Sequence, residues 1–145
     1  MSHADRYDPN NVFARILRGE IPAFKVYESD TALAFMDAMP QSDGHTLVIP
    51  KVSARSLFDI EPDALAELIK TTQRVALAVR RAFRPDGMRL MQFNEAAAGQ
   101  TVFHIHFHII PCYAGVELKG HSREFADQSV LQQHAERVRQ ALAQD

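Results

Sequence analysis

The chain has 145 residues, 46% of them apolar and 23% charged, with a formal net charge of −2. That length and balance predict one globular domain with a sizeable core, and the slight acidic excess argues against a general nucleic-acid binder, which would carry a basic surplus. The single cysteine, Cys112, rules out an internal disulfide and a cysteine-based zinc cage, and the sequence shows neither a leader-like apolar stretch nor an apolar run of membrane-spanning length, so a cytoplasmic protein without membrane contact is expected.

At the N-terminal end, Asn10 or Asn11 can cap a short helix carrying Val12, Phe13, Ile16 and Leu17 on one face, ended by Gly19 and Pro22. Residues 23–28 and 31–37 are short apolar runs parted by Ser29-Asp30, which is a hairpin pattern. Pro40 to Gly44 reads as a polar loop, followed by a third strand over His45 to Pro50. Pro62 suits a first helical turn, and Leu65, Leu68, Ile69, Val75, Val79 and Phe83 follow at helical spacing until Pro85-Asp86-Gly87 stops them. A strand over Met88 to Asn94, a small-residue loop over Ala96 to Gly99 and a strand over Val102 to Ile110 come next. Past Pro111 the pattern fades until Val130, Leu131, Ala135, Val138 and Leu142 mark a terminal amphipathic helix. No repeat, low-complexity tract or linker interrupts this order. The expected fold class is α+β: an antiparallel sheet of about five strands with a short N-terminal, a long central and a C-terminal helix. It forms a single domain over 1–145, with its core in 11–111 and an extension over 112–145.

Residues 104–110 read His-Ile-His-Phe-His-Ile-Ile, so three of the seven histidines fall at alternate positions. On a strand, alternate side chains share a face, which puts His104, His106 and His108 on one side and Ile105, Phe107 and Ile109 in the core. Three readings compete for such a row. The bland one is three imidazoles hydrogen-bonded on a half-exposed sheet. The second is a metal site, but backbones of the outer pair stand roughly 13 Å apart at ~3.3 Å per residue. Zn–N bonds of about 2.0–2.1 Å then converge on one ion only with strain, and a further ligand such as His45, Asp37 or Glu95 would be needed. The third and strongest is nucleophilic catalysis, in which neutral imidazole attacks phosphorus or an acyl carbon and water resolves the covalent intermediate. His106 is then the natural nucleophile, because it has an imidazole on each side to handle the leaving-group proton and the developing charge. Gly99-Gln100-Thr101 just upstream offers a flexible glycine, an amide and a hydroxyl that suit phosphate oxygens, and Asn94 could add a donor. Alone, that segment is equally an ordinary loop.

The heptad resembles the motif that names the histidine-triad (HIT) family of nucleotide hydrolases and transferases. Val12-Phe13-Ala14-Arg15-Ile16, Gly19-Glu20-Ile21-Pro22-Ala23, Ala34-Phe35-Met36-Asp37 and His45-Thr46-Leu47-Val48-Ile49-Pro50-Lys51 are similar to the family's N-terminal blocks, and Asn94-Glu95 with Gly99-Gln100-Thr101-Val102-Phe103 to the approach to its triad. The likeness covers roughly residues 11 to 111. It implies a homodimer whose sheets run together, and chemistry at the α-phosphorus of a nucleotide without a cofactor. It implies His106 as the nucleophile, His108 as the residue that contacts phosphate and assists the leaving group, and His104 and His45 as supporting imidazoles. Asp37 would accept hydrogen bonds from both ribose hydroxyls, Thr101 would face the scissile bond, and Val12, Phe13, Ile16, Phe35 and Leu47 would wall the base. The branch most resembled is the purine-nucleoside phosphoramidases; a dinucleoside polyphosphate hydrolase, a nucleotide-binding module with little turnover and a metal-dependent hydrolase are the alternatives.

Departures accompany the likeness. Residues 10–15 lack the cysteine pair with which some bacterial relatives bind zinc, so no structural zinc is expected. Met36 stands where some relatives carry histidine, and the chain has no tryptophan-containing tail. His3, His121 and His134 are expected at the surface, Glu136, Arg137 and Arg139 on a solvated face, and Cys112 as a buried or edge thiol without a redox task.

Overall fold

The computed structural model describes residues 6–120 and 124–144. His3 and His121 lie outside the described residues. The N-terminal helix α1 spans Val12–Leu17, and Asn11 caps it by accepting a 2.9 Å hydrogen bond from the Ala14 N–H. Phe13 and Ile16 are buried on its inner face, whereas Val12 is 46% exposed and does not share it. Strands β1 (Lys25–Glu28) and β2 (Ala32–Met36) form the expected hairpin, β3 covers Thr46–Pro50 and helix α2 covers Pro62–Phe83. Strand β4 is Gly87–Met91, β5 is Phe107–Cys112 and helix α3 is Gln128–Ala143.

The sheet is antiparallel throughout, in the order β1-β2-β3-β5-β4. Period two divides its side chains between two faces. Ala34, Met36, Val48 and Ile109 pack with Leu68, Val75, Val79 and Val138 from α2 and α3. Leu33, Phe35, Leu47 and Ile49 turn to the opposite face, where Phe13 and Ile16 of α1 meet them. Opposite residues in a ladder share a face, so the pairings of His108 with Leu47 and Met91 put its ring on the α1 side. Helices α2 and α3 therefore cover one face, and α1 packs on the other, where the His108 ring also lies.

Three expectations need correcting. The histidine segment is laddered only from Phe107 onward, because β3 pairs with Phe107 to Ile109 while the Ile105 N–H donates to Ala54 O outside the sheet. Alternation survives without the ladder: Ile105 and Ile109 are fully buried in the core, and Phe107 packs against it. Strand β4 stops at Met91, since the side chains of Gln92 and Asn94 bond to each other and turn the chain. On the two long helices, Ile69 and Val130 lie outside the buried stripe, which takes Thr72 and Ala78 in α2 and Leu131, Ala135, Val138 and Ala141 in α3. His134 also departs from expectation. It is half-buried, with its ring edge-on to Phe83 at 5.0 Å, and burial lowers its pKa.

Candidate active site

The site is assembled at the end of β2, the start of β3 and the start of β5. Asp37 follows β2, and its N–H donates to His45 O at 3.0 Å, closing the loop between them. Gly44 makes that closure possible: its φ is +92°, and a Cβ there would lie 2.9 Å from the Phe83 ring and 3.1 Å from Pro111. This tight turn delivers His45, Leu47 and the Asp37 carboxylate to the α1 face.

Hydrogen-bond partners fix which nitrogen of each neutral ring carries the proton. The Gln41 N–H, which can only donate, lies 3.0 Å from His45 Nδ1. The His45 proton is therefore on Nε2, where it is shared between His108 Nδ1 at 2.9 Å and Asp37 Oδ2 at 3.3 Å. That bond makes His108 Nδ1 an acceptor and leaves the His108 proton on Nε2. His106 Nδ1 lies 2.7 Å from the His104 peptide oxygen, an acceptor only, so His106 is protonated at Nδ1 and carries its lone pair on Nε2. His104 donates from Nε2 to Pro50 O at 2.8 Å and accepts at Nδ1 from the Tyr7 hydroxyl at 2.7 Å. All four rings are buried, and His106 at 5% is the most exposed of them. The His106 and His108 rings are 5.0 Å apart by centroid, His45 and His108 5.2 Å. The bland reading of a half-exposed histidine row does not describe these imidazoles, which form an ordered, buried network.

Burial also tunes the ionisable groups. It raises the pKa of the Asp37 carboxyl to about 6, against the opposing pull of the Met39 N–H that donates to Oδ1 at 2.8 Å. Burial holds His104 below the ordinary histidine value, outweighing the Pro50 carbonyl and the charge of Asp59. A neutral His104 follows, consistent with its two fixed hydrogen bonds.

Asp37, His45 and His108 bring one ligand atom each within 4.8 Å of one another, a spacing that a metal ion could bridge. The hydrogen bonds argue against that use. With Gln41 N–H donating to Nδ1, His45 Nε2 holds a proton and has no lone pair for a metal. Glu95, a further ligand considered from sequence, instead pairs with Arg55 at 2.7 Å. A hollow of about 270 Å³ borders His45, Asp43, Lys119 and His134 on the side of α3, and His106 does not line it. On the α1 side His106 instead meets Phe13, and His108 meets Phe93 of the loop over residues 92–101.

That loop is braced from several directions. Glu95 sits at φ +77° and ψ 158°, a conformation rare for a residue with a side chain. Arg55 holds its carboxylate and stacks over the Phe103 ring at 4.2 Å. The Gln100 amide accepts from the Glu95 N–H and donates to Arg55 O and Val102 O. Asn94 accepts from the Leu57 N–H and from Gln92. These two amides are thus spent on the loop itself, and their contribution is its shape. Gly99 takes φ +103° at the end of the 3-10 turn Ala96–Ala98, and Thr101 lies exposed beyond it.

The structure thus brings together His45, His104, His106, His108 and Asp37, with Phe13 edge-on to His106 at 4.8 Å and to Phe35 at 5.5 Å. Ile16 and Leu47 complete that apolar wall, and Val12 stands at its exposed rim. Sequence reasoning missed Tyr7 and Phe93. Phe93 packs edge-on to His108 at 5.5 Å, and Tyr7 reaches His104 across a separation of 97 residues. Neither carries a local motif that could have signalled it.

Comparison with known proteins agrees with this geometry. The model of the HIT domain matches residues 18–115. The chain is 38% identical over 117 residues to adenylylsulfatase HINT3 of Arabidopsis thaliana, covering 77% of this chain and 59% of that protein. Among solved structures it is similar to a Hit-like protein from Bartonella henselae described as involved in cell-cycle regulation (49% identity, TM-score 0.88, 94% of this chain and 99% of that one). A zinc-bound histidine-triad family protein from Mycobacterium smegmatis is also similar, at 37% identity and TM-score 0.82 over 93% of this chain and 94% of that one. With the domain model spanning most of the chain and the His106 and His108 rings side by side, this protein belongs to the HIT domain family.

Proposed function

We propose that the protein is a nucleotide-binding hydrolase that cleaves nucleoside monophosphate conjugates, phosphoramidates among them, at the α-phosphorus through a nucleotidyl-histidine intermediate. One observation carries this reading: the His106 Nδ1–H is held by a peptide oxygen, which puts the ring's lone pair on Nε2 beside an imidazole whose own proton lies on Nε2. In the first step His106 Nε2 bonds to phosphorus and the P–N or P–O bond to the leaving group breaks, with the His108 Nε2–H hydrogen-bonding the departing atom, which takes its proton from solvent. In the second, water attacks phosphorus, the P–N bond to His106 breaks, and the water's proton is released to solvent. The net change is one water consumed, one nucleoside monophosphate and one protonated leaving group released. Asp37 would accept from the ribose hydroxyls and Phe13, Ile16, Phe35 and Leu47, with Val12 at the rim, would hold the base. Gly99, Gln100 and Thr101 would present the phosphate-facing loop, supported by Asn94. The naming of the HINT3 relative as an adenylylsulfatase supports an adenylyl-type substrate.

Rapid quenching with a labelled nucleoside phosphoramidate tests the proposal, since the label should appear on His106 in a peptide digest. Turnover should persist after thorough chelation. A label elsewhere, or activity lost on chelation and restored by zinc, would replace this mechanism with a metal-dependent one.

We also propose that the protein works as a homodimer joined along β4. That strand is an edge of the sheet, and the groove between it and α2 exposes Ile69 (39%) and Leu90 (49%). Sedimentation should give twice the 16.3 kDa chain mass, and Leu90→Glu should return the protein to single chains. A single-chain species of the unsubstituted protein at micromolar concentration would refute the dimer.

A further inference from the structure

We propose that Tyr7 is a positioning residue for the triad, its hydroxyl fixing the tautomer of His104 and, through the His104 carbonyl, the orientation of the His106 ring. The inference rests on His106 acting as the nucleophile, as proposed for the reaction.

The argument begins with a gap in the sheet. Residues 102–106 precede the β5 ladder, so hydrogen bonding between strands does not set the direction of the His104 carbonyl. That carbonyl nevertheless has a demanding task, because it receives the His106 Nδ1–H at 2.7 Å and so decides where the His106 lone pair points. Two things hold that peptide: the Ile105 N–H on its opposite edge, which donates to Ala54 O at 2.9 Å, and the His104 ring, gripped at both nitrogens. Pro50 O takes the Nε2–H at 2.8 Å, and the Tyr7 hydroxyl donates to Nδ1 at 2.7 Å. His104 is fully buried, and a buried ring nitrogen left without its donor is costly. Removing the hydroxyl therefore favours any change that gives Nδ1 a partner, including the opposite tautomer, which would surrender the Pro50 bond. Either change turns the ring and tilts the peptide oxygen on which His106 depends. Tyr7 also meets the His104 ring edge-on at 5.6 Å, so its aromatic body packs independently of the hydroxyl. The same N-terminal stretch carries Phe13 against His106 itself. One short segment ahead of the sheet thus touches two of the three triad rings.

Tyr7→Phe separates the two contributions, since it keeps the ring contact and deletes only the hydroxyl. For a nucleoside phosphoramidate, kcat should fall about tenfold with KM within twofold, which corresponds to about 1.4 kcal/mol of lost transition-state stabilisation. Imidazole nitrogen NMR supplies a readout independent of turnover. In the unsubstituted chain, His104 should appear as the Nε2–H tautomer and His106 as the Nδ1–H tautomer; the opposite at either residue overturns the proposal without any variant. In Tyr7→Phe the His104 Nδ1 resonance should move and His106 signals should shift with it. A variant with kcat within twofold and unchanged His106 signals would reduce Tyr7 to packing. A rise in KM alone would place it in the nucleotide wall instead. If the unsubstituted chain turned over no nucleotide conjugate, the hydrolase reading would fail while the nitrogen spectra still decided the role of Tyr7.

Discussion

Replacing His106 with Asn is expected to lower kcat by on the order of 10⁴-fold or more while leaving nucleotide affinity within about threefold. The magnitude follows from removing a covalent nucleophile, where what survives is catalysis by the remaining binding and charge-stabilising groups. Asn is the informative choice because its side-chain N–H can still donate towards the His104 peptide oxygen that now receives the His106 Nδ1–H at 2.7 Å. The local frame is kept and the lone pair that bonds phosphorus is lost. Steady-state kinetics and equilibrium binding of a nucleoside monophosphate check both halves. Turnover within tenfold of the unsubstituted protein would show that phosphorus is attacked by another group. A proportionate loss of binding would show that the ring is structural.

Asp37→Asn should raise KM at pH 7.5 by about ten- to a hundredfold, with kcat changed much less. The carboxylate is proposed to hold the ribose through charge-assisted hydrogen bonds, each worth about 1.5–3 kcal/mol, and 1.4 kcal/mol is tenfold in affinity. Because burial raises its pKa to about 6, affinity in the unsubstituted protein should fall as pH drops below 6, and Asn should abolish that dependence. Stability should move the other way. A carboxyl whose pKa is raised on folding favours the folded state fully below its unfolded value of 3.8, and that support is lost as pH rises through about 6. The gap corresponds to about 3 kcal/mol of cost at neutral pH. Asn relieves only part of it, since its NH2 donor replaces one of the two oxygens with which the carboxylate accepts from Met39 N–H and His45 Nε2. A variant that binds nucleotide worse yet melts no lower at pH 7 would mark Asp37 as retained for the ligand. One that melts lower and binds normally would mark it as a loop brace.

Local residue patterns sufficed for the order of elements and for the faces they present. Spacing in Leu68, Val75, Val79 and Phe83 gave the long helix, Ser29-Asp30 the hairpin, and the alternation of His104 to Ile109 the split between site and core. These are local matters, since backbone geometry alone sends alternate or every third and fourth side chain to one side. Where tertiary contacts compete, local pattern failed: Ile69 fits the helical stripe but lies outside it, and residues 102–106 have strand composition without a strand to pair with.

The protonation pattern was decided only in three dimensions. His45 owes its Nε2 proton to the Gln41 N–H, His106 its Nδ1 proton to a peptide oxygen, and His104 its tautomer to Pro50 and to Tyr7, 97 residues away. Gln100 and Asn94, plausible phosphate donors as sequence, turned out to be committed to their own loop. A residue's type states which hydrogen bonds it can make. Which partner lies within about 3 Å of each nitrogen depends on where the folded chain places distant backbone groups, and no one-dimensional pattern records that.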